Sequence, residues 1–324
     1  MRVLFVSSGN NKFGINPFIK DQGDSLLRAG IKVDYYPVIG TGIIGYIKAS
    51  KKLRKYLKDH EVDIIHAHYT LSGWVSVLAF TGKPIVLSLM GSDVYGAYVG
   101  KNKITFISRL LTILTILIQP FVSIIICKSK NISNYVYLKN KSVVIPNGIQ
   151  LNKFFRSDTD YRKELDLKQD NMYVLFLGFK DDPRKNYQLA ASAFKLLTRN
   201  NVILLAPYPV SHDKVVKYLN SVDCLVVPSF MEGSPNVVKE AMACNCPVVS
   251  TEVGDVRWLF GDEPGHYITS YEPKEVAEKI KLALDFSEKY GKTNGRNRII
   301  ELGLDSKTIA TKIIDVYKTV LKEK

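Results

Sequence analysis

The chain has 324 residues, about twice the usual domain size of ~150, so two compact domains are expected. Its 46% hydrophobic and 23% charged content, with no repeat or biased tract, excludes a disordered, fibrous or solenoid chain. The formal charge of +14 is one-sided: residues 1–150 hold 19 Lys+Arg against 7 Asp+Glu, and residues 151–324 hold 26 against 24. Such a field suits a polyanion or an anionic lipid surface, and no RNP-type strand or zinc-finger spacing supports nucleic acid as the partner.

In chain order, residues 3–7 form an apolar strand-like run rather than a signal peptide, followed by a Gly-containing loop and a helical pattern over 17–29. Gly9 and Gly14 in that loop give the backbone room to approach a phosphate or an acceptor; a plain turn explains them equally. No Gly-x-Gly-x-x-Gly run follows, which argues against a nicotinamide cofactor. Further strands are expected at 32–37, 64–68, 85–89, 124–127 and 142–145, with helices between most of them.

The helix over 44–59 carries Lys48, Lys51, Lys52, Arg54, Lys55 and Lys58 around apolar positions. This cluster fits either a reversible contact with an anionic bilayer or a solvated helix face. Residues 104–127 are greasy, but Arg109, Gln119, Pro120 and scattered Ser/Thr interrupt them, so a helix followed by a buried strand is expected rather than a membrane span. Thr105, Ser108, Arg109, Thr112, Thr115 and Gln119 leave a narrow polar stripe beside a wide apolar face, the pattern of a buried or interfacial helix.

The turn signal Pro146-Asn147-Gly148 separates this half from a second α/β series. Strands are expected at 173–178, 202–206, 223–228, 247–250 and near Tyr267, and helices at 186–198, 213–219, 235–243, 273–284 and 307–321. Cys127, Cys224, Cys244 and Cys246 read as reduced thiols, and neither the Cys244/Cys246 pair nor His66 and His68 has the further partners that a metal site needs. The Asp158-Thr159-Asp160 triplet sits in a charged linker rather than after a buried strand, so it is not read as a metal site.

The densest chemistry lies between Pro228 and Ser250. A strand ends, a loop with Glu232 and Gly233 follows, and a helix starts near Ser234 or Pro235, presenting backbone N–H groups and a positive dipole end suited to phosphate. Glu232 and Glu240 are expected at different depths, the first at the mouth and the second about one and a half turns inside, where they can accept hydrogen bonds from different hydroxyls of one long ligand. A capping acid and a solvated helical Glu are the structural alternative.

The Glu232-x7-Glu240 element, with Ala241-Met242-Ala243 and the run from Pro247 to Gly254, resembles family 4 glycosyltransferases (glycosyl transferases group 1). So do His66-Ala67-His68-Tyr69, Gly91-Ser92-Asp93, Pro146-Asn147-Gly148-Ile149, and Phe176-Leu177-Gly178 with Arg184-Lys185 beyond, so the resemblance covers nearly the whole chain. It implies an α/β GT-B fold, two Rossmann-like domains facing a central cleft: residues 1–150 on the acceptor side, residues 151–305 binding the nucleotide sugar, and a terminal helix, 306–324, packing back toward the N-terminal domain. It further implies a retaining, metal-independent transfer from a nucleotide-sugar donor, with no cofactor.

Position by position, the resemblance implies that Glu240 binds the donor ribose, that Glu232 contacts the transferred sugar and that Lys185 binds phosphate. The amides of Asn236 and Val237, with the loop at Gly233 and Ser234, would face the diphosphate. Two departures shift roles onto neighbours. Phe179 stands where many members have arginine, leaving Arg184 or Lys180 as the second cation or leaving none, and Met90 stands where a histidine is common, leaving Asp93, His66 or His68 to contact the sugar. The second domain also reads as one βα unit shorter than usual near residues 200–210.

The catalytic assignments are thus Glu232, Lys185 and Asp93, with Glu240, Arg184, Gly233, Ser234, Asn236, Val237 and Gly14 at the donor. The expected acceptor is a saccharide, lipid-linked in surface polysaccharide assembly, and the expected location is cytoplasmic and peripheral, at the inner face of an anionic membrane. A non-catalytic nucleotide-sugar-binding protein and a sugar-nucleotide epimerase are the two other readings.

Overall fold

The computed structural model describes residues 1–10, 14–101 and 103–322. It divides the chain into one unit of residues 1–97, 104–148 and 306–324 and a second of residues 98–103 and 149–305. The division falls at 148/149 rather than 150/151, the segment 98–103 belongs to the second unit, and the terminal helix (Ser306–Lys322) belongs to the first. Ile149 and Asp305 pair in an isolated bridge, so the main segment of the second unit begins and ends side by side.

The first unit opens with β1 (Arg2–Ser8), α1 (Pro17–Arg28), β2 (Lys32–Val38), α2 (Gly42–Asp59), β3 (Ile64–His68), α3 (Thr70–Val77), β4 (Ile85–Leu89) and α4 (Ser92–Tyr95), after which the chain passes through two short strands, β5 (Tyr98–Gly100) of the second unit and β6 (Lys103–Ile104) at the return to the first. Then come α5 (Phe106–Leu117), β7 (Ile124–Cys127), α6 (Lys130–Ser133) and β8 (Ser142–Val144). The main sheet is parallel, in the order β2-β1-β3-β4-β7-β8. Its central strands β1, β3, β4 and β7 are buried on both faces and therefore read as largely continuous apolar runs.

Alternation along each strand sorts the two faces. Leu4, Val6, Ile65, Ala67, Leu87, Leu89 and Ile125 pack with Ala49 and Leu53 of α2, Val75 of α3 and Ile118 beyond α5. On the other side His66 lies between Ser88 and Tyr317 of the terminal helix, with Nε2 to Ser88 Oγ at 2.8 Å and Nδ1 to Tyr317 Oη at 2.5 Å. The strand order reverses between β1 and β3, so the loops after those strands, including Gly14 and Tyr69, stand at this sheet's switch point.

The second unit holds β9 (Met172–Leu175), α7 (Tyr187–Phe194), β10 (Val202–Leu205), α8 (His212–Ser221), β11 (Cys224–Val227), α9 (Asn236–Ala243), β12 (Val248–Thr251), α10 (Val256–Phe260), β13 (His266–Thr269), α11 (Pro273–Tyr290) and α12 (Gly295–Glu301). Its parallel sheet runs β10-β9-β11-β12-β13. Residues of α7 and α11, including Ala190, Ala193, Val276 and Ile280, cover one face over Val174, Val226 and Val249. The order reverses between β9 and β11, and the loops leaving those two strands carry Lys185 and Glu232.

Three expectations change in detail. The helix expected over 186–198 ends at Phe194, the one expected over 273–284 continues to Tyr290, and α12 has no counterpart among the expected elements. Helix α5 turns Ser108, Thr112 and Thr115 of its polar stripe inward, while Arg109 and its apolar side face out. Thr115 Oγ1 donates to the Asp93 carbonyl at 2.6 Å and lies 2.7 Å from Thr70 Oγ1, and Thr112 Oγ1 donates to the Val94 carbonyl at 3.1 Å. Phe106 and Ile107 are 86% and 81% exposed, and Leu110, Ile113, Ile116 and Leu117 are also exposed. The cause is local: the surface that α5 covers is lined by backbone carbonyls of α4, which need donors rather than methyl groups.

Thr115→Val keeps the side-chain shape but leaves the Asp93 carbonyl and the Thr70 hydroxyl short of a partner. It should destabilise the first unit by about 1–3 kcal/mol, whereas Phe106→Ser should stay within about 0.5 kcal/mol. Urea titrations followed by circular dichroism compare the two, and the opposite ranking would mean that α5 packs through its apolar side.

Candidate functional site

The centre of the site is Glu232, 9% exposed, in the loop between β11 and α9. Its Oε1 accepts from Lys185 Nζ at 2.7 Å and from Ser229 Oγ at 3.0 Å, and its Oε2 accepts from Arg184 Nη1 at 3.1 Å. Both cations lie in a 3-10 turn, Pro183–Lys185, which Asp182 starts by accepting the Arg184 N–H at 2.9 Å. The backbone ties the same loops: Phe230 N–H donates to the Arg184 carbonyl at 2.9 Å, and Asn186 Nδ2 donates to the Pro228 carbonyl at 3.1 Å.

Burial pushes the Glu232 carboxyl up, but the Lys185 and Arg184 charges outweigh it and hold the group below the usual carboxylate range. Arg184 is pulled down by burial and raised more strongly by Glu232 and Asp182, so it stays charged. Of the two cations offered as substitutes for the arginine missing at Phe179, Arg184 is the one in contact with Glu232, while Lys180 sits over the Tyr187 ring, 5.1 Å from its centroid. Phe179 itself packs edge-on against Tyr208.

Immediately after Glu232 the chain turns through Gly233 and Ser234 into α9, which has no side-chain N-cap. The first amide bonded back into the helix is that of Val238, to the Pro235 carbonyl at 3.2 Å, so the Asn236 and Val237 amides lie ahead of the helical ladder. Gly254, at φ +57°, lies so close to this loop that a Cβ there would be 2.8 Å from the Gly233 carbonyl oxygen. The loop conformation therefore requires glycine at 254.

Ser234 donates to Asp255 Oδ2 at 2.7 Å and accepts from Lys239 Nζ at 3.1 Å. Lys239 is fully buried, and burial lowers its ammonium to about 8 despite the opposing pull of Asp255 and Glu240. Glu240, 8% exposed, receives His212 Nε2 at 3.0 Å, and His212 Nδ1 lies 3.4 Å from Lys153 Nζ. The imidazole of His212 thus stands between Glu240 on one ring nitrogen and Lys153 on the other. The two glutamates are equally buried, Glu232 in the loop and Glu240 inside α9, and they differ in partners, paired cations for Glu232 and a histidine for Glu240.

The remaining expected residues lie in the first unit. Asp93 is fully buried, and its Oδ1 accepts the Met90 and Gly91 amides at 3.0 and 2.8 Å, closing the turn where Gly91 takes φ 131°. Its Oδ2 has no hydrogen-bond partner among the described residues, and burial raises the carboxyl to about 6 against backbone hydrogen bonds that lower it. Gly14 has φ +65° and open space where a Cβ would stand. His66 and His68 are stacked and buried, and burial holds both well below the usual imidazole range. Among the described residues no three His, Cys, Asp or Glu side chains are grouped as metal ligands.

Sequence reasoning does not single out Ser229, Lys239, His212 or Asp255. Ser229, three residues before Glu232 in the same loop, is the most accessible to it. His212 is 28 residues from Glu240, and nothing in its own surroundings marks the pairing.

A carboxyl held below its usual range contributes stability above that range and loses it as the pH falls through the lowered value. Glu232→Gln should therefore cost the second unit about 1–3 kcal/mol near neutral pH, where it leaves two cations unpaired, and the difference from the parent should close in acid. Denaturation midpoints of both proteins across that range test this, and a difference that does not depend on pH would rule out the ion pairs as its source.

A model described as Glycosyltransferase Family 4 matches residues 14–153, and one described as Glycosyl transferases group 1 matches residues 160–300. The uncharacterized glycosyltransferase MJ1178 of Methanocaldococcus jannaschii is 30% identical over 281 residues, 79% of this chain and 75% of that protein. The putative teichuronic acid biosynthesis glycosyltransferase TuaC of Bacillus subtilis is 29% identical over 253 residues, 69% of this chain; the chain spans 61% of TuaC, less than two thirds of its length. The Escherichia coli UDP-Gal:alpha-D-GlcNAc-diphosphoundecaprenol alpha-1,3-galactosyltransferase is 23% identical over 353 residues, 95% of this chain and 89% of that one. Among solved structures, sucrose-phosphate synthase from Thermosynechococcus elongatus aligns with a TM-score of 0.81 at 18% identity, covering 100% of this chain and 99% of that one, which shows a shared fold. With two parallel α/β units of the GT-B kind and relatives along both, this chain belongs to the group 1, family 4 glycosyltransferases.

Proposed function

We propose that the second unit binds a nucleoside-diphosphate sugar and that the protein transfers its glycosyl group, with retention at the anomeric carbon and without a metal, to a lipid-linked saccharide in surface polysaccharide assembly. One observation carries the reading: Lys185 and Arg184 both hold Glu232 where two loops leave the switch point of the sheet, just ahead of the uncapped start of α9. Ligands of parallel α/β sheets sit at such points, and helix starts favour phosphate.

The chemistry follows from the exchange of partners. A diphosphate offers Lys185 and Arg184 more negative charge than one carboxylate, so it takes over the cations and leaves Glu232 free to accept hydrogen bonds from sugar hydroxyls. The bond between the anomeric carbon and the phosphate oxygen then breaks, its electron pair leaving with the diphosphate, which the two cations and the α9 amides stabilise. The acceptor oxygen bonds to the same face of the carbon, and its proton passes to the departing diphosphate. Glu240, oriented by His212, takes the ribose hydroxyls. The family resemblance assigns Asp93 to the transferred sugar.

The acceptor class draws on the diphosphoundecaprenol-linked substrate named for the Escherichia coli relative, on the teichuronic acid biosynthesis named for TuaC, and on the basic character of the first unit. An acceptor of this kind places the enzyme at the inner face of the membrane, as a peripheral protein.

Lys185→Ala should lower transfer by on the order of 100-fold and weaken binding of the nucleoside diphosphate product. Glu232→Gln should lower transfer while binding that product at least as tightly as the parent, since it releases both cations. Asp93→Asn keeps an oxygen for the Met90 and Gly91 amides, so it should fold and yet lose turnover. Single-turnover assays with a lipid extract as acceptor, in EDTA, separate these effects, and a protein that binds donor but shows no turnover in any extract would be a binding protein instead.

A further inference from the structure

We infer that the outward face of α5 is a bilayer-insertion surface, and that the protein is seated on an anionic membrane by this apolar helix flanked by the cations of α2. The inference deepens the membrane-side reading given above but rests on the first unit alone, independent of the donor chemistry.

The outer side of α5 presents Phe106, Ile107, Leu110, Ile113, Ile116 and Leu117 to solvent, and Phe121 in the following turn extends it. Soluble proteins rarely leave so contiguous an apolar face uncovered. The helix is anchored by its hydroxyls to the carbonyls beneath it, so these side chains cannot be drawn inward without stranding buried donors and acceptors. At 12 residues it is about 18 Å long, and no helix among the described residues is long and apolar enough to cross a membrane. A helix that short with one greasy side lies in the plane of the interface.

Charge identifies the occupant. The first unit carries 22 Lys+Arg against 9 Asp+Glu, and not one Asp or Glu occurs between Asp93 and Asp158. Arg109 is exposed on α5, and Lys141 Nζ caps the Pro120 and Val122 carbonyls at its foot, at 3.1 and 3.0 Å. Gln119 accepts the Tyr137 amide at 2.8 Å, setting the exposed Tyr137 ring beside that foot. An aromatic and cationic rim around an apolar face is the profile of a membrane interface.

On the same side of the sheet, α3 packs between α5 and α2. Helix α2 exposes Ile43, Ile44 and Ile47 and then Lys48, Lys51, Lys52, Arg54, Lys55 and Lys58. At ~10 Å per helix spacing the cations of α2 lie about 20 Å from α5, within one footprint on a bilayer. Two copies of so cationic a unit repel each other, which disfavours a second copy of the chain as the cover.

Flotation of the full chain with phosphatidylcholine vesicles, with and without one third phosphatidylglycerol, tests this without donor or acceptor, so its outcome is independent of the catalytic proposal. The parent should bind the anionic vesicles, and part of that binding should survive high salt. The pair Ile107→Ser and Leu110→Ser, at exposed positions, should reduce binding by about tenfold or more and abolish the salt-resistant part. Replacing Lys51, Lys52 and Lys55 by Ser should remove mainly the salt-sensitive part. Ile113→Trp should gain fluorescence that brominated lipid quenches beyond the parent's signal. Absence of parent binding at low salt, α5 variants that bind like the parent, no added quenching in the Ile113→Trp variant, or a dimer dispersed by the α5 substitutions would each overturn the inference.

Discussion

Two loops of the second unit are held in register by a single buried carboxylate. Glu232 has little contact with water, and a desolvated charge is tolerable only with close partners; Lys185, Arg184 and Ser229 supply them at 2.7, 3.1 and 3.0 Å. Because the cations stand on the loop after β9 and the acid on the loop after β11, the contact closes the sheet's switch point. The start of α9, the Gly254 approach and the Lys239-Ser234-Asp255 chain are all built around the loop so fixed. The same contact gathers the side chains of Lys185 and Arg184 around one carboxylate.

Much of this is legible in the residues. Parallel strands buried on both faces give apolar runs such as those at 3–7 and 224–227, and the turn residues between them mark helix starts, so both sheets can be read locally. Glu232 stands out because a strand end, a loop acid and a helix start follow in order, whereas Arg184 and Lys185 are marked only by the family resemblance. What cannot be read is which distant side chains meet: His212 with Glu240, or Tyr317 with His66 across 251 positions, arises from packing that no local pattern encodes.

Helix α5 shows a different limit. Periodicity divides a helix into a polar and an apolar side but does not say which side is inside. Here the underlying surface is made of carbonyls, so the inward side is the hydroxylated one. Asp93 belongs to the same lesson: its carboxylate closes the Gly91 turn through two amides while its own carbonyl receives Thr115, so one residue ties α4 to α5. Its second oxygen is left over from that work.

The placement of the terminal helix bears on how the protein is made. The chain completes the first sheet by residue 144, then lays down residues 149–305 before Tyr317 is available to His66. On the ribosome the second unit therefore has all its parts while the first still lacks a wall, and the buried polar face of β3 stays open until Tyr317 has emerged. A nascent chain stalled before residue 306 would expose its defect near the amino terminus, far in sequence from the residues it is missing.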